Sequence, residues 1–331
     1  MAKTVKDERY LCVSAYIRAL EAQLLTAGDL QRMIDADDLS GAIQVLTDRG
    51  YPPMTADLAA MEDALRQHRE DLMSELSDFL PDGSVLDLFR IRYDYHNAKV
   101  ALKSQWTGVD GTRLLMGGGR LEPLRLYQML HRGESEMLPP SMAQAVQEAR
   151  ETVGATGDPQ KGDFLLDKAC FAEQAALAAD SGSRFLTDYV RLLCDVANLQ
   201  ALVRVLRMGK DTLLLESALV PGGTPDPALL LECARSGGIT ELYAASPLEQ
   251  AAALGQEALS GGSLTAFEKA CDDAQTVFLQ QAALIPFGLE PVLAFAAVRE
   301  QEMRNVRIII SSRLAGLPAA TIRERMREAY V

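Results

Sequence analysis

The sequence predicts an all-α fold of three pseudo-threefold-related helical-hairpin units. Three observations carry this. Apolar residues recur at helical spacing along most of the chain, and no period-2 stretch is long enough to predict a strand. Aromatics make up only 6% of the 331 residues, with Ala and Leu abundant. The three asparagines, Asn97, Asn198 and Asn305, lie 101 and 107 residues apart, close to a third of the chain. With 48% hydrophobic and 24% charged residues, the composition is that of a globular protein with a sizeable core.

The elements follow in order. Val5 to Leu25 carries Leu11, Ala15, Ile17, Leu20 and Leu24 on one face, which predicts a helix. Short helices follow at Leu30 to Ala36 and Leu39 to Arg49, the latter ending at Gly50. Thr55 reads as the N-cap of a long helix from Ala56 to about Phe79. Pro81-Asp82-Gly83 turns the chain into a second arm from Leu86 to about Trp106. The same arrangement recurs at Lys161 to Ala179 and Arg184 to Met208, around Ser181-Gly182-Ser183. It recurs again at Thr265 to Leu284 and Leu289 to Leu314, around Pro286-Phe287-Gly288. Arg132 to Pro140 and Gly154 to Gly162 are turn-rich and read as surface loops.

The second arms can be laid over one another. Asp87, Arg90, Asp94 and Asn97 match Asp188, Arg191, Asp195 and Asn198 at offsets i, i+3, i+7 and i+10, one narrow helix face. The third arm keeps Glu302 and Asn305. Each asparagine has an acid three residues before it. Acids are 46 of 331 residues, so three chance matches come to roughly 1 in 400, and an internal repeat is the simpler account. Leu114 to Gly119 followed by Glu122-Pro123 is echoed by Leu219 to Gly223 followed by Asp226-Pro227, with Pro placed to start a helix. The expected units are 1–115, 116–220 and 221–331.

Mid-helix Asn is a mediocre helix former, so its retention once per repeat points to tertiary hydrogen bonds. The pairs Asp94–Asn97, Asp195–Asn198 and Glu302–Asn305 are therefore read as structural, bonding across each hairpin. Arg90, between Asp87 and Asp94, points to an ion-pair ladder and away from an acid/base pair.

Little else suggests chemistry. The net charge of −13 argues against a nucleic-acid binder. Five cysteines without CxxC spacing indicate neither zinc nor disulfides. His68, His96 and His131 lack metal-ligand spacing, and Gly117 to Gly119 is not followed by GK[ST]. No catalytic, cofactor-binding or metal-binding residue is expected. Trp106 reads as a packing anchor. No apolar run is long enough for a membrane span, and MAKTVKDERYLC has no apolar core of a signal peptide, so a cytoplasmic location is expected. From Arg299 to Val331, seven arginines face four glutamates, a local +3 in an acidic chain. That makes Arg323, Arg325 and Arg327 candidates for a partner interface, against the plainer reading of a solvated helix face.

The segments RIRYDYHNAKVALKSQ (Arg90 to Gln105), DVANLQALVRVLRMGKD (Asp195 to Asp211) and EQEMRNVRIIISSRLAGLPAATIRERMREAYV (Glu300 to Val331) resemble the C subunit of bacterial and archaeal V/A-type rotary ATPases, the homologue of the vacuolar ATPase d subunit. Tyr10 to Tyr51 fits that family's opening, and residues between about Leu121 and Gly182 match least. The resemblance implies a helical funnel and a central-stalk, rotor role without catalysis. The funnel would be a monomer within a hetero-oligomeric complex. It would seat the shaft subunits D and F on the membrane proteolipid ring, at the cytoplasmic side, and transmit torque. That torque would couple proton (hydrogen ion) or sodium transport to ATP synthesis or hydrolysis. A generic helical-repeat scaffold for another acidic or basic protein, and an enzyme with an unrecognised site, are the rival readings.

Overall fold

The computed structural model describes residues 7–55 and 57–330. The expectation for the opening residues 1–6, the helix start at Val5 and that at Ala56 lie outside them. The fold is all-helical, 76% helix, with no strand among the described residues. They divide into two compact units. One spans Ser84–Gly238; the other joins 7–83 to 239–330.

In the discontinuous unit, α1 (Leu11–Glu21), α2 (Ala27–Asp35), α3 (Leu39–Asp48) and α4 (Leu58–Phe79) come from the first part of the sequence. In the continuous unit, α5 (Asp87–Thr107) and α6 (Pro123–Arg132) lead to α7 (Pro140–Thr156), α8 (Pro159–Ser181) and α9 (Arg184–Arg207). It ends with α10 (Thr212–Ala218) and α11 (Pro227–Ser236). The discontinuous unit then resumes with α12 (Ile239–Leu242), α13 (Glu249–Leu259), α14 (Leu264–Gln280), α15 (Leu289–Leu314) and α16 (Ala319–Arg325).

The long arms fall where the periodicity places them, and the corrections are local. Asp57, not Thr55, caps α4: its carboxylate accepts from the Ala59 and Ala60 N–H groups. Gly154 to Gly162 is not a loop. α7 continues to Thr156 and α8 starts at Pro159, with Gly157 (φ 68°) ending the first and Asp158 capping the second. Two residues are enough because one takes the left-handed backbone and the next supplies the N-cap oxygen.

In the continuous unit, Tyr95, Ala98 and Leu102 of α5 pack with Leu126 and Leu130 of α6, Met142 and Val146 of α7, and Leu166 of α8. Trp106 packs against this core, and α8 passes it at Gly162, where a Cβ would stand 2.7 Å from the indole. In the other unit, Leu30, Met33 and Ile34 of α2 and Leu46 of α3 pack with Val306, Ile309 and Ile310 of α15 and Ile322 of α16. Fully burying one such side chain contributes about 1.5–3 kcal/mol. Among the described residues, no helix is long and apolar enough to cross a membrane.

Candidate functional site

Each asparagine grips one residue of the chain that follows its helix. Asn97 Nδ2 donates to the Met116 carbonyl at 2.8 Å, and the Met116 N–H donates to Asn97 Oδ1 at 2.8 Å. Asn198 does the same with Val220, at 3.0 and 2.8 Å, and Asn305 with Arg327, at 3.3 and 3.1 Å. A side-chain amide copies the donor–acceptor pair of a peptide group, so it can satisfy both backbone groups of a turn residue at once. All three are buried. The partners lie 19 to 22 residues downstream of the asparagine and not on the opposing arm of the hairpin. The expectation of a bond across the hairpin is corrected accordingly: a turn leaves backbone groups to satisfy, whereas the opposing helix has already satisfied its own.

The acids one turn earlier fix the same turns further along. Asp94 Oδ1 accepts from the Arg120 and Leu121 N–H groups at 3.0 and 3.1 Å, and Arg120 Nε donates to Oδ2 at 2.8 Å. Arg120 Nη1 also reaches Glu173 of α8 at 2.7 Å, tying the turn to the neighbouring helix. Asp195 accepts from the Thr224 N–H at 2.6 Å and its hydroxyl at 2.8 Å. Arg90 pairs with Asp87 at 3.7 Å and Arg191 with Asp188 at 2.7 Å. Asp94 is thus held by Arg120 and the turn backbone, where the sequence suggested a ladder through Arg90.

The Gly-Gly echo, which the sequence marks as turns, is the signal for these segments, though not for the acids they approach. Gly118 (φ 87°) and Gly222 (φ 92°) adopt the left-handed backbone. The next glycine is needed for space. A Cβ at Gly223 would stand 2.5 Å from Asp195 Oδ1, and one at Gly119 would press closer still on Asp94. Glu122 and Asp226 then cap α6 and α11, each with Pro at the first helical position. Burial pushes the Asp94 and Asp195 carboxyls above their ordinary pKa, while the Arg120 or Thr224 hydrogen bonds pull the other way.

Glu302 is bonded differently. Its carboxylate accepts from the Leu25 N–H, from the Tyr51 hydroxyl at 2.7 Å and from Arg299 Nη1 at 2.6 Å. Tyr51 packs against His68 with ring centroids 4.4 Å apart and the ring planes tilted by 33°. Burial, then the charge of Arg299, lowers the His68 pKa to about 4. Burial and Glu302 raise that of Tyr51.

The three C-terminal arginines do not form one patch. Arg327 Nε donates to Asp272 at 2.8 Å, and this pair is largely buried. Arg323 reaches Asp35 of α2. Arg325 is exposed on the wall of a groove of about 1080 Å³ between α13, α14 and α16, whose lining includes Ala266, Ala270 and the Lys269–Asp273 pair. Among the described residues, no group of three His, Cys, Asp or Glu is placed to hold a metal ion. The arrangement fixes backbone geometry, and nothing in it sets a nucleophile beside a base.

Comparison with known proteins adds the family. The model of the ATP synthase (C/AC39) subunit family matches residues 13–325. The V-type sodium ATPase C subunit of Enterococcus hirae is 24% identical, with 95% of this chain and 97% of that one aligned. The A-type ATP synthase C subunits of Methanocaldococcus jannaschii and Methanothermobacter thermautotrophicus are 22% and 23% identical. Those two matches cover 95% of this chain and 85% and 86% of theirs.

Proposed function

The chain belongs to the ATP synthase (C/AC39) subunit family, and from that premise we propose that it is the central-stalk socket of a rotary ATPase, joining the shaft subunits D and F to the membrane proteolipid ring. The C subunit is a structural, non-catalytic part of the ATPase complex. The observation that carries the reading is the match to C subunits over 13–325.

Such a role has physical demands that these turns suit. A torque link must not flex at its turns. Here, the turns after α5 and α9 are each held by a buried amide and a buried carboxylate, and polar networks satisfied in this way are stiff. In this reading the protein sits at the cytoplasmic face of the membrane through its complex. Arg323 and Arg325 are the exposed arginines offered to a partner, while Arg327 serves the fold.

The test is reconstitution of the rotary complex with and without this chain. With it, D and F should co-purify with the ring, and ion transport should follow ATP turnover. Without it, head ATPase activity should persist uncoupled. Replacing Arg323 and Arg325 with Ser should weaken assembly more at low salt than at high, where the lost charges would already be screened. Normal coupling in the complex lacking the chain would refute the assignment.

A further inference from the structure

The third repeat differs from the others in one respect that the first two explain. In each of those, one acid on the long arm accepts the N–H of a residue one or two places before the N-cap of a short helix further along. Asp94 takes Leu121 before the cap Glu122 of α6, and Asp195 takes Thr224 before the cap Asp226 of α11. On α15 the matching acid, Glu302, takes the N–H of Leu25. The next residue, Thr26, is the N-cap of α2, where it forms a capping box with Asp29. Leu25 is 277 residues from Glu302 in sequence, yet it stands where Leu121 and Thr224 stand.

The packing repeats as well. α6 lays Leu126 and Leu130 on Tyr95, Ala98 and Leu102 of its arm, and α2 lays Leu30, Met33 and Ile34 on Val306, Ile309 and Ile310. The far end of α2 is fixed too. Arg313 of α15 donates to the Ile34 and Ala36 carbonyls at 2.7 and 2.6 Å, covering backbone groups that a helix end leaves open. Arg323 of α16 reaches Asp35. Thr26, Asp29 and Arg49 form a further set, with Arg49 on Asp29 at 2.7 Å, which binds the end of α3 to the start of α2.

We infer that residues 24–48 are a strap that completes the third repeat, and that Glu302 is its latch. α2 is to α15 what α6 is to α5 and α11 is to α9. The repeats are therefore permuted relative to the sequence boundaries 1–115, 116–220 and 221–331, and the third unit is assembled from two distant segments. The discontinuous unit of 7–83 with 239–330 fits this assembly. The latch is non-covalent, and the strap it holds covers the apolar face of α15 at Val306, Ile309 and Ile310.

Amide hydrogen exchange of the full chain under rising denaturant tests this. In the wild-type protein, peptides covering 25–48 should open together with those covering 300–325, at the same free energy and denaturant dependence. In Glu302→Gln, exchange in 25–48 should rise at least tenfold while 224–236 stays as it was. In Asp195→Asn the reverse should hold. Independent opening of 25–48 in the wild type would overturn the inference even if Glu302→Gln failed to fold. So would unchanged protection of 25–48 in a folded Glu302→Gln.

Discussion

After α5 and α9 the acid is an aspartate, the donors lie 26 to 29 residues away, and a glycine lets the backbone approach. On α15 the acid is a glutamate whose donor lies 277 residues away, with Tyr51 and Arg299 added to it. Closing a loop ten times longer costs about 2 kcal/mol more in chain entropy. A net hydrogen bond contributes about 1 kcal/mol, and one to a charged group about 1.5–3. The tyrosine and the arginine at Glu302 therefore suffice to offset the longer closure. The local turns rely on a close backbone approach through glycine, with Arg120 added at Asp94, and the distant junction relies on its tyrosine and arginine.

The largest expected effect breaks the first half of that comparison. Gly223→Ala should destabilise by about 3 kcal/mol, since its Cβ would overlap the Asp195 carboxylate and force either the turn or the acid away. The cost should fall by at least half in an Asp195→Ala background, because the two changes share one contact. Urea unfolding of the four proteins measures this, and full additivity would remove the close-approach argument. A smaller effect sharpens the comparison. Asn198→Leu should cost about 2 kcal/mol by leaving both backbone groups of Val220 unpaired. Asn305→Leu should cost less, since its bonds of 3.3 and 3.1 Å are longer. Thermal unfolding of both variants decides it, and equal losses would show that bond length is not the discriminator.

The smallest effect appears only with acid. His68 has its pKa lowered to about 4, so the unfolded chain takes up a proton below about 6.5 that the folded one refuses. Stability is thus lost as pH falls from about 6.5 to about 4. Asp29 adds to the loss further down. Burial opposes its charge, but hydrogen bonds from Arg32 and Thr26 and the charge of Arg49 hold its pKa at about 2. Its contribution is present above about 3.8 and fades below. Burial raises the Asp94 and Asp195 carboxyls instead, which gives the opposite slope. His68→Phe should keep a ring against Tyr51 and recover most of this acid loss at pH 4.5 relative to pH 7. Unfolding curves at the two pH values measure this, and an undiminished acid loss would clear His68.

The long arms were legible because their apolar spacing runs over 20 residues or more, and the asparagines because nothing else in the chain resembles them. α7 was missed since Pro139, Pro140 and Gly157 bracket a helix whose apolar face is carried by Met142, Ala145, Val146 and Ala149. Small side chains write a weak pattern. The partners of Asp94 and Asp195 were hidden for another reason: Arg120 and Thr224 add side-chain bonds of different chemistry to backbone N–H groups, which every residue but proline has. The bond from Leu25 to Glu302 could not be read at all, because local repeat spacing carries no trace of a contact made across 277 residues.

The burial of all three asparagines bears on chemical ageing. Asparagine is among the residues that heat and time degrade, by loss of the side-chain amide. Here each sits within a long helix, followed by Ala98, Leu199 or Val306, with its amide held at both ends. Loss of ammonia at any of them would put a carboxylate where an NH2 now faces the carbonyl of Met116, Val220 or Arg327, turning attraction into repulsion. The fold thus shields from hydrolysis every asparagine the chain possesses, and each of them is one whose hydrolysis would undo a turn.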